Sequence, residues 1–122
     1  MTTKDVARKL VEFCSQGQFE NAVKELYSPI IVSIEPDGAP VEEVRGLEEV
    51  IQKGQNFNSM VEAFHGMEVS DPVVADQFFS CSIKMEVTCK GAPRTTMEEI
   101  CLYQVDNGKI IREEFFFTPM HG

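Results

Sequence analysis

The second half of the chain alternates apolar and polar residues with a period of two, and this pattern constrains the fold more than any other feature of the sequence. From residue 79 to residue 89 every odd position is apolar and every even position is polar, which predicts a long strand with one apolar face. Segments 95–105 and 109–118 are strands of the same kind, joined by Asp106-Asn107-Gly108, a tight hairpin signal. A strand over 64–75, bent at Asp71-Pro72, precedes them. We therefore expect four strands in an antiparallel meander.

The first half of the chain has helical periodicity instead. Apolar spacing predicts one helix over 3–15 and a second from Phe19 to about Leu26, ended by Ser28-Pro29. A β-branched strand over 30–35 follows and closes in the turn 36–38. A third helix starts near Gly46, and its apolar positions are Leu47, Val50, Ile51, Phe57, Met60 and Val61. Helices on one face of a curved antiparallel sheet give an α+β fold.

Composition limits the partners of this domain. The chain has 122 residues, 43% of them hydrophobic and 25% charged, and it contains no repeat or linker, so we expect one domain over residues 1–122. The net charge of -9 repels phosphate backbones, which argues against nucleic acid as a partner. No apolar run could cross a bilayer, and the N-terminal residues lack the apolar core of a signal peptide. We expect a cytoplasmic protein with no membrane partner.

The cysteine and histidine residues do not suggest a metal centre. Cys14, Cys81, Cys89 and Cys101 form no CxxC pair, and the two histidines, His65 and His121, are far apart. The cysteines are therefore expected to be buried free thiols in a reducing cytoplasm. We predict neither a metal nor a cofactor.

The order of elements, with Glu35-Pro36-Asp37-Gly38 and Asp106-Asn107-Gly108-Lys109-Ile110, resembles the nuclear-transport-factor-2-like superfamily. Within it the chain looks closest to SnoaL-like proteins, which include polyketide cyclases and are related to ketosteroid isomerase. The resemblance covers essentially the whole chain. It implies a cystatin-like cone, in which three N-terminal helices pack on a strongly curved antiparallel sheet around a pocket. It also implies a homodimer through the outer face of the sheet.

The resemblance further implies roles for particular positions. Ketosteroid isomerase carries its general base, an aspartate, before a proline at the end of the first strand, where this chain has Glu35. The protonated aspartate of that enzyme's oxyanion hole corresponds to Cys101, and its tyrosine to Leu10 or Val11, so that oxyanion hole is expected to be absent. The aspartate that SnoaL cyclases use on the last strand corresponds to Phe115.

The orientation that the resemblance implies for the last two strands would place two more carboxylates in the pocket with Glu35. It places their odd positions inside, so that Glu99 and Glu113 face the pocket. Carboxylates in an apolar cavity raise one another's pKa, which suits Glu35 as a proton acceptor and protonated Glu99 or Glu113 as a donor. Alternatively, Glu99 and Glu113 are solvated or form ion pairs with Arg45, Arg112 or Lys84.

A second set of residues is expected to line the pocket and contact a ligand. His65 could orient a carboxylate, although a lone strand histidine is more often a surface or core residue. The aromatic residues of the set are also simple candidates for the core. The set comprises Phe57, Met60, Phe64, His65, Met85, Cys101, Tyr103 and Phe115.

Three functions remain open from the sequence. The first is a cofactor-free acid/base enzyme of isomerase, cyclase or hydrolase type that acts on a hydrophobic small molecule. The second is a protein that binds such a molecule without catalysis, and the third is a dimeric accessory protein. The expected dimer face comprises Ile100, Leu102, Ile110 and Phe116.

Overall fold

The computed structural model describes residues 1–119, so that His121 and the end of the predicted domain lie outside the described residues. Residues 1–119 form three helices and seven strands, which confirms the predicted α+β class. The helices are α1 (Thr3–Ser15), α2 (Phe19–Leu26) and α3 (Leu47–Met60). The strands are β1 (Tyr27–Ile34), β2 (Glu43–Arg45), β3 (Val61–Val69), β4 (Val73–Ala75), β5 (Phe78–Cys89), β6 (Arg94–Asp106) and β7 (Lys109–Phe116).

All seven strands form one curled sheet in the order β2-β1-β7-β6-β5-β3, with β4 paired to β5. The meander from β3 to β7 is antiparallel, as predicted. The sheet as a whole is mixed, however, because β1 runs parallel to β7. A fully antiparallel sheet was therefore a wrong prediction, and the parallel pair places the first and last long strands side by side.

The helices pack on the inner face of the sheet through the apolar positions that their spacing indicated. Helix α1 begins at a capping box, in which Thr2 Oγ1 accepts from the Asp5 amide and the Asp5 carboxylate accepts from the Thr2 amide. Its residues Val6, Leu10 and Cys14 are buried against the sheet. All four cysteines of the chain are free, and only Cys89 is not fully buried. None of the helices within residues 1–119 has the length and apolarity that crossing a membrane requires.

Several element boundaries differ from the expectation. Strand β1 begins at Tyr27 and includes Pro29, which lies where the register between β1 and β7 shifts. A proline is tolerated there because the irregular pairing does not require its missing amide hydrogen. Helix α3 ends at Met60, so that Val61 belongs to β3, and the strand expected over 64–75 is two strands separated at Asp71-Pro72. The short strand β2 was not predicted.

A bulge in β7 changes which face one residue occupies. Gln104 pairs with Arg112 and Val105 pairs with Ile110, so β7 has one extra residue at this point. As a result Ile110 turns inward and is completely buried in the core. Its predicted place on the outer dimer face is therefore wrong, whereas Ile100, Leu102 and Phe116 are exposed there.

Candidate functional site

The inner face of the sheet contains a buried carboxylate, Glu113, which is only 2% exposed. The parallel register places Ser33 of β1 directly beside it, and Ser33 Oγ donates a hydrogen bond of 2.7 Å to its Oε2. The hydroxyl of Tyr27 donates to Oε1. Burial raises the pKa of Glu113, while the charge of Lys53 and the two hydroxyl donors act in the opposite direction. Glu113 is thus held by fixed donors rather than by solvent.

Lys53 of α3 connects this carboxylate to Glu35. Its Nζ donates to Ser33 Oγ at 2.6 Å and to Glu35 Oε1 at 3.1 Å. The same ammonium lies 5.1 Å from the centre of the Phe115 ring. The result is a continuous polar chain across the inner face, which runs from Glu35 through Lys53 and Ser33 to Glu113.

Glu99 of β6 faces the same interior and is partly buried. Its Oε1 accepts from Cys101 Sγ at 3.7 Å. Burial, and after it the negative charge of Glu35, raises the pKa of Glu99 to about 7. The charge of Glu113 acts in the same direction, and that of Lys53 opposes it. The three predicted carboxylates therefore interact electrostatically, and each has a different environment.

The sequence did not identify three members of this cluster: Tyr27, Ser33 and Lys53. A signal existed for two of them. Ser33 shares a strand face with Ile31 and Glu35, and Lys53 lies three residues after the buried Val50 on the inner side of α3. A polar residue at an apolar position of a regular pattern marks a side chain that needs a buried partner.

The basic residues considered as alternative partners pair elsewhere. Arg45 bonds Glu43 at 2.7 Å, and Arg112 bonds Glu114 at 3.2 Å, both on the exposed surface. Lys84 lies opposite Glu98 on the outer face of the sheet. The ion pair of the inner face is instead Lys53 with Glu35.

The predicted ligand-binding residues divide into an inner and an outer group. Tyr103 is buried and stacks on Phe79, with ring centres 4.7 Å apart. Cys101 is buried in the same region, directly opposite Phe115 on β7. Phe57, Met85 and Phe115 are partly buried.

The outer group comprises Met60, Phe64 and His65, which lie at the rim of the cone. Met60 is 55% exposed and Phe64 is 51% exposed. His65 Nε2 is 2.7 Å from Thr88 Oγ1. Phe64 and His65 line an open groove of about 460 Å³ between the α1–α2 turn, α3 and β3, and none of the three carboxylates is among its lining residues.

No group of three His, Cys, Asp or Glu side chains within residues 1–119 is arranged as metal ligands would be. The chemistry available at the cluster is that of carboxylates, an ammonium group, hydroxyls and a thiol. These groups can accept, donate and hold protons.

Comparison with known proteins identifies the architecture. A family model described as a SnoaL-like domain matches residues 1–117. The crystal structure of a candidate SnoaL-like polyketide cyclase from Mesorhizobium loti, which also bears the description carbohydrate phosphatase, is 34% identical. The match covers 96% of this chain and 100% of that one, with a TM-score of 0.90. No curated protein matches the sequence.

Two more distant structures share the fold. A nuclear-transport-factor-2-like protein of unknown function from Burkholderia pseudomallei is 15% identical over 97% of this chain and 92% of that one, with a TM-score of 0.80. A protein with a cystatin-like fold from Xanthomonas campestris is 15% identical over 95% and 90%, also with a TM-score of 0.80. These likenesses show the fold alone.

Proposed function

We propose, since the chain belongs to the SnoaL-like domain family, that its inner carboxylates catalyse proton transfer on a hydrophobic small molecule without a cofactor. The observation that carries the proposal is the environment of Glu99, whose pKa is raised to about 7 beside an ion-paired carboxylate. A group with that pKa is present in both protonation states near neutral pH, which suits a general acid or base.

The three carboxylates would then have different roles. Glu35 is neutralised by Lys53, and Glu113 is occupied by the hydroxyls of Tyr27 and Ser33. Within residues 1–119, the hydrogen-bond donor to Glu99 is a weak thiol, which leaves its carboxylate with acceptor capacity for a ligand. We therefore assign the proton transfer to Glu99, with Glu35 and Glu113 setting the charge around it. Environments that give two nearby carboxylates different pKa values commonly indicate separate acid and base roles.

Deuterium exchange into 2-tetralone, an apolar ketone with acidic α-hydrogens, tests this proposal by proton NMR in heavy water. The protein is expected to accelerate exchange over buffer, with a rate that rises with pH through about 7 as Glu99 ionises to its basic form. Glu99→Gln should lower the rate by about 100-fold or more, the usual contribution of a general base.

Glu98→Gln is the matched control, because Glu98 is the neighbouring residue on the exposed outer face. This variant should accelerate deuterium exchange into 2-tetralone at the same rate as the unaltered protein. A rate equal to that of buffer, or a rate that Glu99→Gln leaves unchanged, would contradict proton transfer by Glu99.

Ligand binding without catalysis is the second candidate, and the groove at the rim favours it. The groove combines Phe19, Phe64 and Met67 with polar groups and has a volume suited to a small molecule. A ligand that binds there while no exchange occurs would support this function over the first.

We also propose a homodimer through the outer face, supported by the exposed Ile100, Leu102 and Phe116, which lie together on β6 and β7. Four free thiols support a location in the reducing cytoplasm.

A further inference from the structure

Lys53 is a partly buried cation that proton transfer by Glu99 does not itself require. We infer that Lys53 binds an anionic oxygen of the ligand, such as a carboxylate, phenolate or enolate on an aromatic or otherwise apolar body. The inference rests on the proposed function, in that a small molecule occupies the inner face beside Glu99.

The hydrogen bonds of Lys53 leave it able to bind one more acceptor. An ammonium has three donors, and Lys53 directs two of them to Ser33 Oγ and Glu35 Oε1. Its side chain is 24% exposed and that of Glu35 is 18% exposed, so the pair is covered yet reachable. Within residues 1–119 the third donor has no hydrogen-bond partner.

The position of the ammonium is fixed before any ligand arrives. Ser33, one of its acceptors, is itself completely buried and bonded to Glu113. Glu35 holds the ammonium from the other side at 3.1 Å. A donor that is held in place needs no reorganisation when negative charge develops on a ligand oxygen, which is the property of an effective oxyanion site.

Stability alone does not account for this ion pair. A covered ion pair costs desolvation of both charges, and replacing such a pair with apolar residues is often neutral or stabilising. The ring of Phe115, whose centre is 5.1 Å from Lys53 Nζ, is an apolar neighbour of residue 53. The Phe115 ring would also contact the apolar body of a ligand whose anionic oxygen meets Lys53.

The other charged groups that face this space predict how anion binding responds to pH. Glu35 faces it from the position just after β1, and Glu113 faces it from β7. Glu99 and the Cys101 thiol face it from β6, and Lys53 from α3. Protonated Glu99 would donate a second hydrogen bond to the anion, and ionised Glu99 would repel it. Anion binding should therefore weaken as the pH rises from 6 to 8.

Isothermal calorimetry with 2-naphthoate and its neutral isostere 2-naphthamide tests the inference. At pH 6 the full chain should bind naphthoate about tenfold or more tightly than naphthamide, as expected for one charge-assisted hydrogen bond. Lys53→Met should abolish this preference, and Lys53→Arg should retain most of it. Lys24→Met, which removes an exposed lysine paired with Glu20, is the matched control and should behave as the unaltered protein does.

The outcomes separate this inference from the proposed function. Equal affinity for the two probes, no measurable binding of naphthoate, or a preference that survives Lys53→Met would each overturn it. If Lys53→Met does not fold, the double variant Lys53→Met/Glu35→Gln, which removes both charges of the ion pair, gives the same comparison. A preference that depends on Lys53 in a protein that exchanges no deuterium would support anion binding and reject catalysis.

Discussion

Glu113 and Glu99 lie on adjacent strands and face the same interior, yet their hydrogen-bond partners give them different chemistry. Glu113 has two hydroxyl donors and the nearby charge of Lys53 to offset its burial. Glu99 has one thiol donor and a second negative charge nearby, so its protonated form is favoured. The same residue type is thus a fixed part of the scaffold at one position and a titrating group at the other.

This difference predicts a pH dependence of stability. The pKa of Glu99 is about 7 in the folded chain and near 4.5 in the unfolded chain, so the folded state binds more protons between these values. The free energy of unfolding should therefore fall as the pH rises from 4.5 to 7, by on the order of 2 kcal/mol after allowance for partial exposure. Urea unfolding at pH 5 and pH 8 measures it.

Glu99→Gln should flatten this dependence, since an amide does not titrate. A smaller pH dependence of stability with the same sign should remain, because the pKa of Glu113 is also raised. Glu98→Gln should leave the pH dependence of the free energy of unfolding unchanged. If the pH dependence of stability is unchanged in Glu99→Gln, a group other than Glu99 is responsible for it.

At the residue scale the sequence predicted which carboxylates face inward but not their partners. Alternation groups Glu99 with Cys101 and Tyr103 on one strand face, and the resemblance assigned that face to the interior. The contact of Lys53 with Ser33 joins α3 to β1, and it depends on how far the helix lies from the sheet. No local pattern contains that distance.

Among the elements, β5 and β7 show where sequence patterns succeed and where they end. Every residue of β5 from Phe79 onward follows one alternation, so its apolar face was predictable. In β7 the alternation changes at Ile111, because the bulge is set by pairing with β6. No motif in the sequence indicates the extra residue of this bulge, and Ile110 was consequently assigned to the wrong face.

The β6–β7 hairpin depends on two residues with positive φ, Asn107 and Gly108. Gly108→Ala should lower the free energy of unfolding by about 1–2 kcal/mol, since alanine is strained at this φ. Its Cβ would also lie 3.1 Å from the Met1 carbonyl oxygen. Urea unfolding measures the change.

Gly54→Ala is the matched comparison, because Gly54 lies inside α3 with open space around its Cβ position. This substitution should instead stabilise the chain by up to about 1 kcal/mol. If both substitutions shift stability in the same direction, the turn conformation does not account for the effect of Gly108.

For the whole molecule, the α+β class was predictable from the order of elements and the cone from the family resemblance, whereas the homodimer is a proposal. Ile100 and Phe116 are directly paired on the outer face and are 51% and 46% exposed. Ile100→Glu should convert the proposed dimer to a monomer, because a second copy would bury the new charge without a partner. Sedimentation equilibrium measures the mass.

Met60→Glu, at an exposed apolar position on the rim, should leave the mass unchanged. A monomer for the unaltered protein at high concentration would reject the dimer. A dimer that persists in Ile100→Glu would assign the interface to another surface.

The parallel pairing of β1 with β7 also has a consequence for the order of folding. Ser33 and Tyr27 precede Glu113 by 80 and 86 residues, so the polar cluster closes only when nearly the whole described chain is available. Until β7 arrives, β1 lacks its neighbour in the centre of the sheet, and its backbone groups are open to non-native pairing. Contacts of such long sequence separation slow folding, so the site is among the last parts of this domain to form during synthesis.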